Sequence, residues 1–343
     1  MGRRRQVALA KSIQFALFRD PKTFRKTLIG RIIAFFSVFS LKLLRYEPDV
    51  FRRLRNEIWE ISEERYRASF LSGEDKALPL LPMGDLGFSG STFFSTSNST
   101  FLVKSLPRHF EHSFFRHDLF QPYYEYISAH TDSILVWITD YIYAAYTSLG
   151  TLMKTTPAHH IIMENILCGK EKDPAAEKWE TYDLKPIDYF FPERDLVPGP
   201  LVSQETLSRL ADEFPDKIRL TQSDYDDMKR MIEADTAFLA SANAVDYSLF
   251  LVRFPASSNP DVIGKRSKWR IGLASTDGRW KYRAVLLDFF WAKHKLHAQA
   301  MTGVIQTFNV IGRQGPMTIT TTADEYREKF LALVDSIMEV YEP

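Results

Sequence analysis

The sequence has very little cysteine and no long apolar run, and each absence excludes a class of protein. Its 343 residues include one cysteine, Cys168, so no disulfide can form within the chain. A disulfide-stapled secreted scaffold is therefore excluded, and a reducing, cytosolic environment is the default expectation. The longest apolar candidate lies between Arg31 and Lys42 and falls well short of the roughly 18 residues of a membrane span. We therefore expect no transmembrane segment.

Two common phosphate-binding signatures are also missing. No GxxxxGK[ST] loop occurs, and no helix is predicted after the small-residue stretch GFSGSTFFSTSNSTFLVK, as a dinucleotide-binding turn would require. This stretch instead places Gly87, Ser89, Gly90 and Ser91 before an alternating segment that ends on Lys104. Small residues let backbone N–H groups approach a phosphate, and a following lysine adds positive charge. The pattern indicates a nucleotide-binding flap, with a plain Gly/Ser turn between strands as the alternative.

Charge is distributed unevenly along a chain whose totals nearly balance. Residues 1–55 hold 14 Lys/Arg and 3 Asp/Glu, whereas the whole chain holds 44 and 43. This basic start is also rich in Phe and Ile, which is typical of a segment that contacts an anionic membrane surface. Two other interpretations stay open: a mitochondrial transit peptide, and a helix that packs its apolar face on the body of the protein.

Periodicity predicts an α+β fold with two lobes, because a strand-containing first half with a long helix precedes a helix-rich second half with a late hairpin. The predicted helices are 1–46 with a break at Pro21, 50–70, 108–130, 206–214, 223–243 capped by Ser223, and 323–341. The predicted strands are a hairpin over 88–104, then 133–146, 159–167, 269–276 and 282–290.

Two acidic residues lie where phosphoryl-transfer chemistry would need them. Asp246 follows a long predicted helix in an apolar context, and Asp288 ends a buried predicted strand. A lone carboxylate in such a run is costly unless something pairs with it, and a metal ion is a good partner. The alternative for each residue is a cap or turn role.

Seven segments, in order, resemble the phosphatidylinositol phosphate kinases. They are YEPDVFRRLR, GFSGSTFFSTSNSTFLVK, HHIIMENIL, YDLK, NAVDYSLFLV, AVLLDFF and PMTITTTADEYREKF. The likeness spans roughly residues 46–343 and is strongest to a fungal branch labelled after the related fold of phosphoribosylaminoimidazole-succinocarboxamide synthase. It implies a two-lobed, protein-kinase-like domain with antiparallel sheets over 46–343, with an N-lobe about 46–163 and a C-lobe about 164–343. We predict that residues 1–45, which precede this domain, form a basic amphipathic helical segment.

The resemblance also implies ATP, Mg²⁺ and a phosphoinositide acceptor, and it assigns roles to individual residues. Lys104 would contact the ATP phosphates beside the flap residues, and Met163 and Asn165 would lie beside the adenine. Asp246 would orient or deprotonate the inositol hydroxyl, Asp288 would bind Mg²⁺, and Lys185 would approach a phosphate. Candidate lipid contacts are Lys293, Lys295 and Arg194.

The sequence departs from the family pattern at the lipid-binding motifs. Pro186 and Ile187 replace the Gly-Ser that follows the family's Asp-Leu-Lys, and His294 splits its paired lysines. The lipid preferred therefore stays open. We expect a peripheral membrane enzyme of the cytoplasm that binds no nucleic acid, and a homodimer is left open. The rival interpretations are a pseudokinase scaffold and an enzyme acting on a soluble substrate.

Overall fold

The chain divides into two compact units in this computed structural model, which describes residues 3–18, 28–71, 80–83, 91–153, 155–186, 190–192, 212–292, 317–319 and 321–341. The first unit takes Met1–His112, Val136–Lys172 and Pro260–Arg266; the second takes Ser113–Leu135, Asp173–Asn259 and Ser267–Pro343.

The first unit is built on an antiparallel sheet of six strands in the order β1-β5-β6-β4-β3-β2. Its strands are β1 (Leu43–Arg45), β2 (Leu80–Met83), β3 (Phe93–Thr96), β4 (Phe101–Ser105), β5 (Ile138–Ala144) and β6 (His159–Glu164). The helices described here are α1 (Arg3–Phe18), α2 (Leu28–Phe35), α3 (Pro48–Arg53) with a π-helical continuation over Leu54–Ile58, α4 (Glu63–Ser69), α5 (His109–Phe114), whose last two residues fall in the second unit, and α7 (Leu149–Leu152).

Helix α1 is packed rather than solvated. Leu9 and Ile13 are fully buried, and the Ser12 hydroxyl accepts a hydrogen bond from the Leu41 backbone N–H at 3.0 Å. Burying such a side chain contributes about 1.5–3 kcal/mol. Of the interpretations open for the N-terminus, a packed helix therefore describes α1 within its own unit.

A buried ion cluster joins the helices after β1 to strand β5. Asp140 is fully buried and contacts Arg45 at 2.6 Å and Arg55 at 3.4 Å. The Tyr66 hydroxyl donates to the same carboxylate at 3.4 Å, and the Arg55 guanidinium lies 4.2 Å from the Tyr66 ring centroid. Two cations around one buried carboxylate compensate its loss of hydration, so the cluster fixes α3 and α4 to the sheet.

The second unit contains a four-stranded sheet in the order β12-β13-β11-β7 and three two-stranded sheets. Its described strands are β7 (Glu180–Leu184), β8 (Phe190–Pro192), β9 (Ile218–Leu220), β10 (Ala244–Val245), β11 (Ser248–Pro255), β12 (Leu273–Ala274), β13 (Trp280–Leu287), β14 (Trp291–Ala292), β15 (Met317–Ile319) and β16 (Met338–Val340). Its described helices are α6 (Phe120–Ala129), α8 (Gln222–Ser241), α9 (Lys268–Ile271) and α10 (Ala323–Ile337). This mixture of helices and mainly antiparallel sheets confirms the α+β class. The lobe boundaries and the N-terminal segment stay predictions.

Several element boundaries predicted from the sequence are wrong for local reasons. Helix α8 is capped by Thr221, whose hydroxyl accepts from the Asp224 N–H at 3.2 Å, and Ser223 lies inside the helix. The predicted strand over 269–276 begins as helix α9, because Trp269 and Arg270 are buried there. The final helix ends at Ile337, where the chain enters β16 and pairs with β9. The predicted helix over 206–214 lies mostly outside the described residues.

Candidate functional site

Three strands of the second unit end or begin at one edge of its sheet, and the predicted catalytic residues follow from them. Leu184 at the end of β7 pairs with Leu249 near the start of β11, and Ser248 pairs with Leu287 at the end of β13. Antiparallel pairing therefore brings the residues just beyond these ends together. Lys185, Asp246 and Asp288 are those residues, so the sheet gathers three side chains that are 61 and 42 positions apart in sequence.

Lys185 and Asp246 form an ion pair in a mostly buried position. The Lys185 ammonium donates to the Asp246 carboxylate at 2.8 Å, and each side chain is 15% exposed. Burial by itself lowers the pKa of Lys185, but the charges of Asp246, Asp183 and Asp288 outweigh it and raise that pKa above its ordinary value. The lysine therefore stays charged and compensates the surrounding carboxylates.

Asp183 belongs to the same cluster and was not among the site residues predicted from the sequence. It precedes Lys185 by two positions on β7, so both side chains lie on one face of the strand. Burial first and the charge of Asp288 second raise the pKa of Asp183, despite a hydrogen bond with Ser248. Its Oδ1 atom is buried and has no hydrogen-bond partner among the described residues. The alternation of Asp and Lys at the end of a strand was the signal that could have found it.

Both Asp246 and Asp288 have a backbone conformation that side chains rarely adopt. Their φ angles are 62° and 67°, in the left-handed region, which costs on the order of 1 kcal/mol or more for a residue with a Cβ atom. Strain of this kind persists only where the surrounding structure holds it. Glu47, Glu60, Ser99 and Asn243 also have positive φ angles, so the strain alone does not mark a functional site.

Aromatic packing holds the two loops that carry these aspartates. Tyr247 is fully buried, its ring lies 4.7 Å from the Tyr326 ring on α10, and the Tyr326 hydroxyl donates to the Tyr247 carbonyl. On the other loop, the Phe289 ring stacks on Tyr123 of α6 at 6.0 Å. Aromatic side chains next to each aspartate therefore hold both loops in place.

Lys104 and Ser91 lie in the first unit, within or just before its sheet. Lys104 is 5% exposed on β4, opposite Phe93 and Ile161, and its ammonium lies 5.5 Å from the Phe93 ring centroid. Ser91 is buried two residues before β3 begins. The predicted flap residues Gly87, Ser89 and Gly90 lie outside the described residues, and the phosphate-binding role of the segment stays a prediction.

Met163 and Asn165 are buried in and just after β6. Met163 pairs with Leu102 on one side and Ile138 on the other. The Asn165 amide donates to the Ser99 carbonyl at 2.8 Å, and its side-chain oxygen accepts from the Leu167 N–H at 3.1 Å. Asn165 therefore fixes the turn between β3 and β4 to the chain after β6. Its predicted place beside the adenine is not tested by these contacts.

The remaining predicted site residues, Lys293, Lys295 and Arg194, lie outside the described part of the chain. Within the described residues, no group of three or more His, Cys, Asp or Glu side chains is arranged to hold a metal ion by itself. Mg²⁺ commonly binds one or two carboxylates and completes its shell with substrate phosphates and water. The oxygen donors of Asp288 and Asp183 fit such an ion.

Comparison with known proteins identifies the family to which this site belongs. The model of the phosphatidylinositol-4-phosphate 5-kinase family matches residues 75–272, more than half of the chain. The chain is a member of that family, and the family resemblance seen in the sequence is confirmed.

Two curated proteins are similar to this chain at low identity. A mouse phosphatidylinositol 4-phosphate 5-kinase-like protein 1 is 28% identical over 201 residues, which are 59% of this chain and 46% of that protein. A Plasmodium falciparum phosphatidylinositol 4-phosphate 5-kinase is 25% identical over 216 residues, 60% of this chain and 12% of that protein. The match thus spans less than half the length of either relative.

None of the helices described is both long and apolar enough to cross a bilayer.

Proposed function

We propose that this protein is an ATP-dependent phosphoinositide kinase that transfers the γ-phosphoryl group to an inositol hydroxyl of a membrane lipid. The observation that carries the proposal is the cluster of Lys185, Asp246, Asp183 and Asp288 at one sheet edge of a chain in the phosphatidylinositol-4-phosphate 5-kinase family. The proposal includes the two-lobed, protein-kinase-like fold and a peripheral position on a cytoplasmic membrane surface.

The proposed mechanism uses the chain for positioning and charge compensation, because phosphoryl transfer needs little covalent help from a protein. Asp246 would accept a hydrogen bond from the inositol hydroxyl and orient it towards the phosphorus. Lys185 holds the Asp246 carboxylate at 2.8 Å and would also contact a phosphate oxygen. Asp288 would hold Mg²⁺, which supplies charge neutralisation on the transferring phosphoryl group.

Other residues in the proposal bind the nucleotide. Lys104 would contact its phosphates as a point charge, with the backbone N–H groups of the flap from Gly87 to Ser91 beside it. Met163 and the chain at Asn165 would border the adenine. Lys293, Lys295 and Arg194 would contact the lipid head group. All of these roles rest on the family resemblance and on residue type.

A catalytically weak scaffold is the second candidate. Pro186 and Ile187 stand where the resemblance expects a flexible Gly and a Ser donor, so one head-group contact is lost. Retention of Lys104, Asp246 and Asp288 argues for activity. The Lys185–Asp246 pair also argues for activity, because a site without a catalytic role would not need a buried charge cluster.

The test is transfer of radiolabelled phosphate from ATP to a panel of phosphoinositides in vesicles. We expect label in at least one lipid and a loss of at least about 100-fold in Asp288→Ala, since removing one electrostatic contact at such a site costs that much. Asp335→Ala is the matched control, because this aspartate is 45% exposed and pairs with Lys229 at the surface.

The outcomes separate the candidates. No label in any lipid, with ATP–Mg²⁺ binding intact, would favour a soluble acceptor. Absence of both label and nucleotide binding would favour the scaffold. Equal transfer by Asp246→Asn and the unaltered chain would remove Asp246 from the mechanism.

A further inference from the structure

An exposed apolar surface lies on helix α2 and on the segment that follows it. Leu28–Phe35 is eight residues long, and its Ile29 and Ile32 side chains are 71% and 52% exposed. Phe36 and Phe39, just after the helix, are 66% and 41% exposed. Isolated exposed apolar residues need no explanation, but four within eleven positions form a patch of the kind that marks an interaction site.

Helix α7 extends this surface. The Gly150 N–H donates to the Ser37 carbonyl at 3.4 Å, and the Thr156 hydroxyl donates to the Val38 carbonyl at 2.9 Å. The approach is so close that a Cβ atom on Gly150 would lie 1.9 Å from the Val38 oxygen. Leu152 and Met153, 63% and 65% exposed, therefore lie beside the segment after α2. We call Ile29, Ile32, Phe36, Phe39, Leu152 and Met153 the apolar patch.

The patch is carried by structure that is fixed to the first unit. Ala34 on α2 is buried, and Leu41 is buried and held by its N–H to the Ser12 hydroxyl of α1. Apolar side chains are thus presented to solvent from an anchored support. The exposed side chains of the patch therefore do not belong to the hydrophobic core of the first unit.

The charge around the patch distinguishes between two possible binding partners, a second copy of this chain and an anionic membrane. Residues 21–46 contain six Lys/Arg and no Asp/Glu, and residues 145–156 contain one lysine and no acid. A second copy of the same surface would bring like charges together, which is unfavourable. An anionic bilayer is complementary on both counts, because its head groups attract the cations and its interface accepts Ile, Phe, Leu and Met side chains.

We propose that the apolar patch inserts into the interface of an anionic membrane and anchors the first unit there. Helix α2 is only about 12 Å long at 1.5 Å per residue, so it lies in the interface and does not cross the bilayer. The inference rests on the proposed function in that the acceptor is a membrane lipid, and it adds which surface docks. Residues 28–39 precede the family match at 75–272, so the helix half of the patch lies outside the matched region.

The experiment is flotation of the full chain with vesicles of phosphatidylcholine alone and with about one third phosphatidylserine. The test variant is Ile32→Glu/Phe36→Glu, which puts two carboxylates on the patch without changing a buried position. The matched control is Leu71→Glu, because Leu71 is 52% exposed in the same unit, as Ile32 is, and lies outside α2 and α7.

We expect binding to the anionic vesicles, weakened at high salt, and a loss of about tenfold or more in the double variant with little loss in the control. Equal binding by the double variant, or no binding by the unaltered chain, would overturn the proposal. A change in sedimentation mass without a change in vesicle binding would also overturn it and assign the patch to a second copy of the chain.

Transfer to a soluble, short-chain phosphoinositide separates this inference from the proposed function. The double variant should retain that transfer, because the patch residues take no part in the chemistry. If the unaltered chain binds vesicles but transfers no phosphate to the short-chain lipid, the kinase proposal fails while the docking surface stands.

Discussion

At the scale of single residues, His160 carries a polar ring into the middle of a sheet. It lies on β6 between Ser105 and Ile142, is fully buried, and neither ring nitrogen has a hydrogen-bond partner among the described residues. Burial lowers the pKa of His160 from 6.5 to about 3. Between about pH 3 and pH 6.5, His160 is therefore protonated in the unfolded chain and neutral in the folded chain.

This difference predicts how stability depends on pH. Because the unfolded state binds more protons below pH 6.5, the free energy of unfolding should fall by about 1.4 kcal/mol per pH unit from this group as the pH drops. Urea unfolding between pH 7 and pH 5 measures the slope, and His160→Leu should flatten it. His117→Leu, at an exposed histidine, is the control. An unchanged slope in His160→Leu would contradict the assignment.

The buried pair of Lys185 and Asp246 predicts a measurable coupling. In a double-mutant cycle of Lys185→Met and Asp246→Asn, urea unfolding should give a coupling energy of about 1–3 kcal/mol, because either single change leaves a charge uncompensated. The exposed pair of Lys229 and Asp335, at 3.5 Å in the same unit, is the control and should show no resolvable coupling. Additive single effects at Lys185 and Asp246 would mean that the contact does not stabilise the fold.

At the scale of elements, helix α10 supports the loop of Asp246 through one hydrogen bond. Tyr326 donates its hydroxyl to the buried Tyr247 carbonyl, whereas the Tyr247 hydroxyl has no hydrogen-bond partner among the described residues. Tyr326→Phe should therefore lower the free energy of unfolding by about 1–3 kcal/mol, and Tyr247→Phe should leave it nearly unchanged. Thermal unfolding of the two variants side by side checks this. Unchanged stability in Tyr326→Phe would show that ring packing, which both variants retain, holds the loop without the hydrogen bond.

The sequence predicts the presence of helices and strands more accurately than their boundaries or their pairing. Periodicity located α8 and β13, because a long amphipathic run and a buried apolar run are local signals. It placed a strand where α9 begins, because tertiary burial of Trp269 overrides local preference. Pairing of β7 with β11, which brings Lys185 to Asp246, has no local signal in the sequence.

At the scale of the whole molecule, the basic N-terminal region has two structural parts. Helix α1 is packed through Leu9 and Ile13, and α2 presents its apolar side chains to solvent. Composition alone could not separate them, because both are basic and apolar. The sequence left three alternatives open: packing, membrane contact and a transit peptide. The burial of α1 agrees with packing, and the exposure of α2 is the basis of the membrane contact that we propose.

Packing of α1 predicts that it is required for stability. Deleting residues 1–18 should lower the melting temperature clearly, since each fully buried aliphatic side chain contributes about 1.5–3 kcal/mol. Differential scanning fluorimetry checks this, with Lys11→Gln on the exposed side of α1 as the control. An unchanged melting temperature in the deletion would show that α1 is dispensable to the first unit.

The left-handed backbone at Asp246 and Asp288 sets stability against activity in this protein. Glycine adopts a φ angle of 67° without a Cβ penalty, so Asp288→Gly should relieve strain while removing a carboxylate that the proposed chemistry needs. Asp246→Gly would relieve strain too, but it would leave the buried Lys185 charge without its ion-pair partner. Laboratory selection for heat resistance alone would then favour glycine at position 288 and yield a more stable protein without phosphate-transfer activity. Selection for phosphate transfer would keep both aspartates, and the protein would then remain less stable than its Asp288→Gly variant.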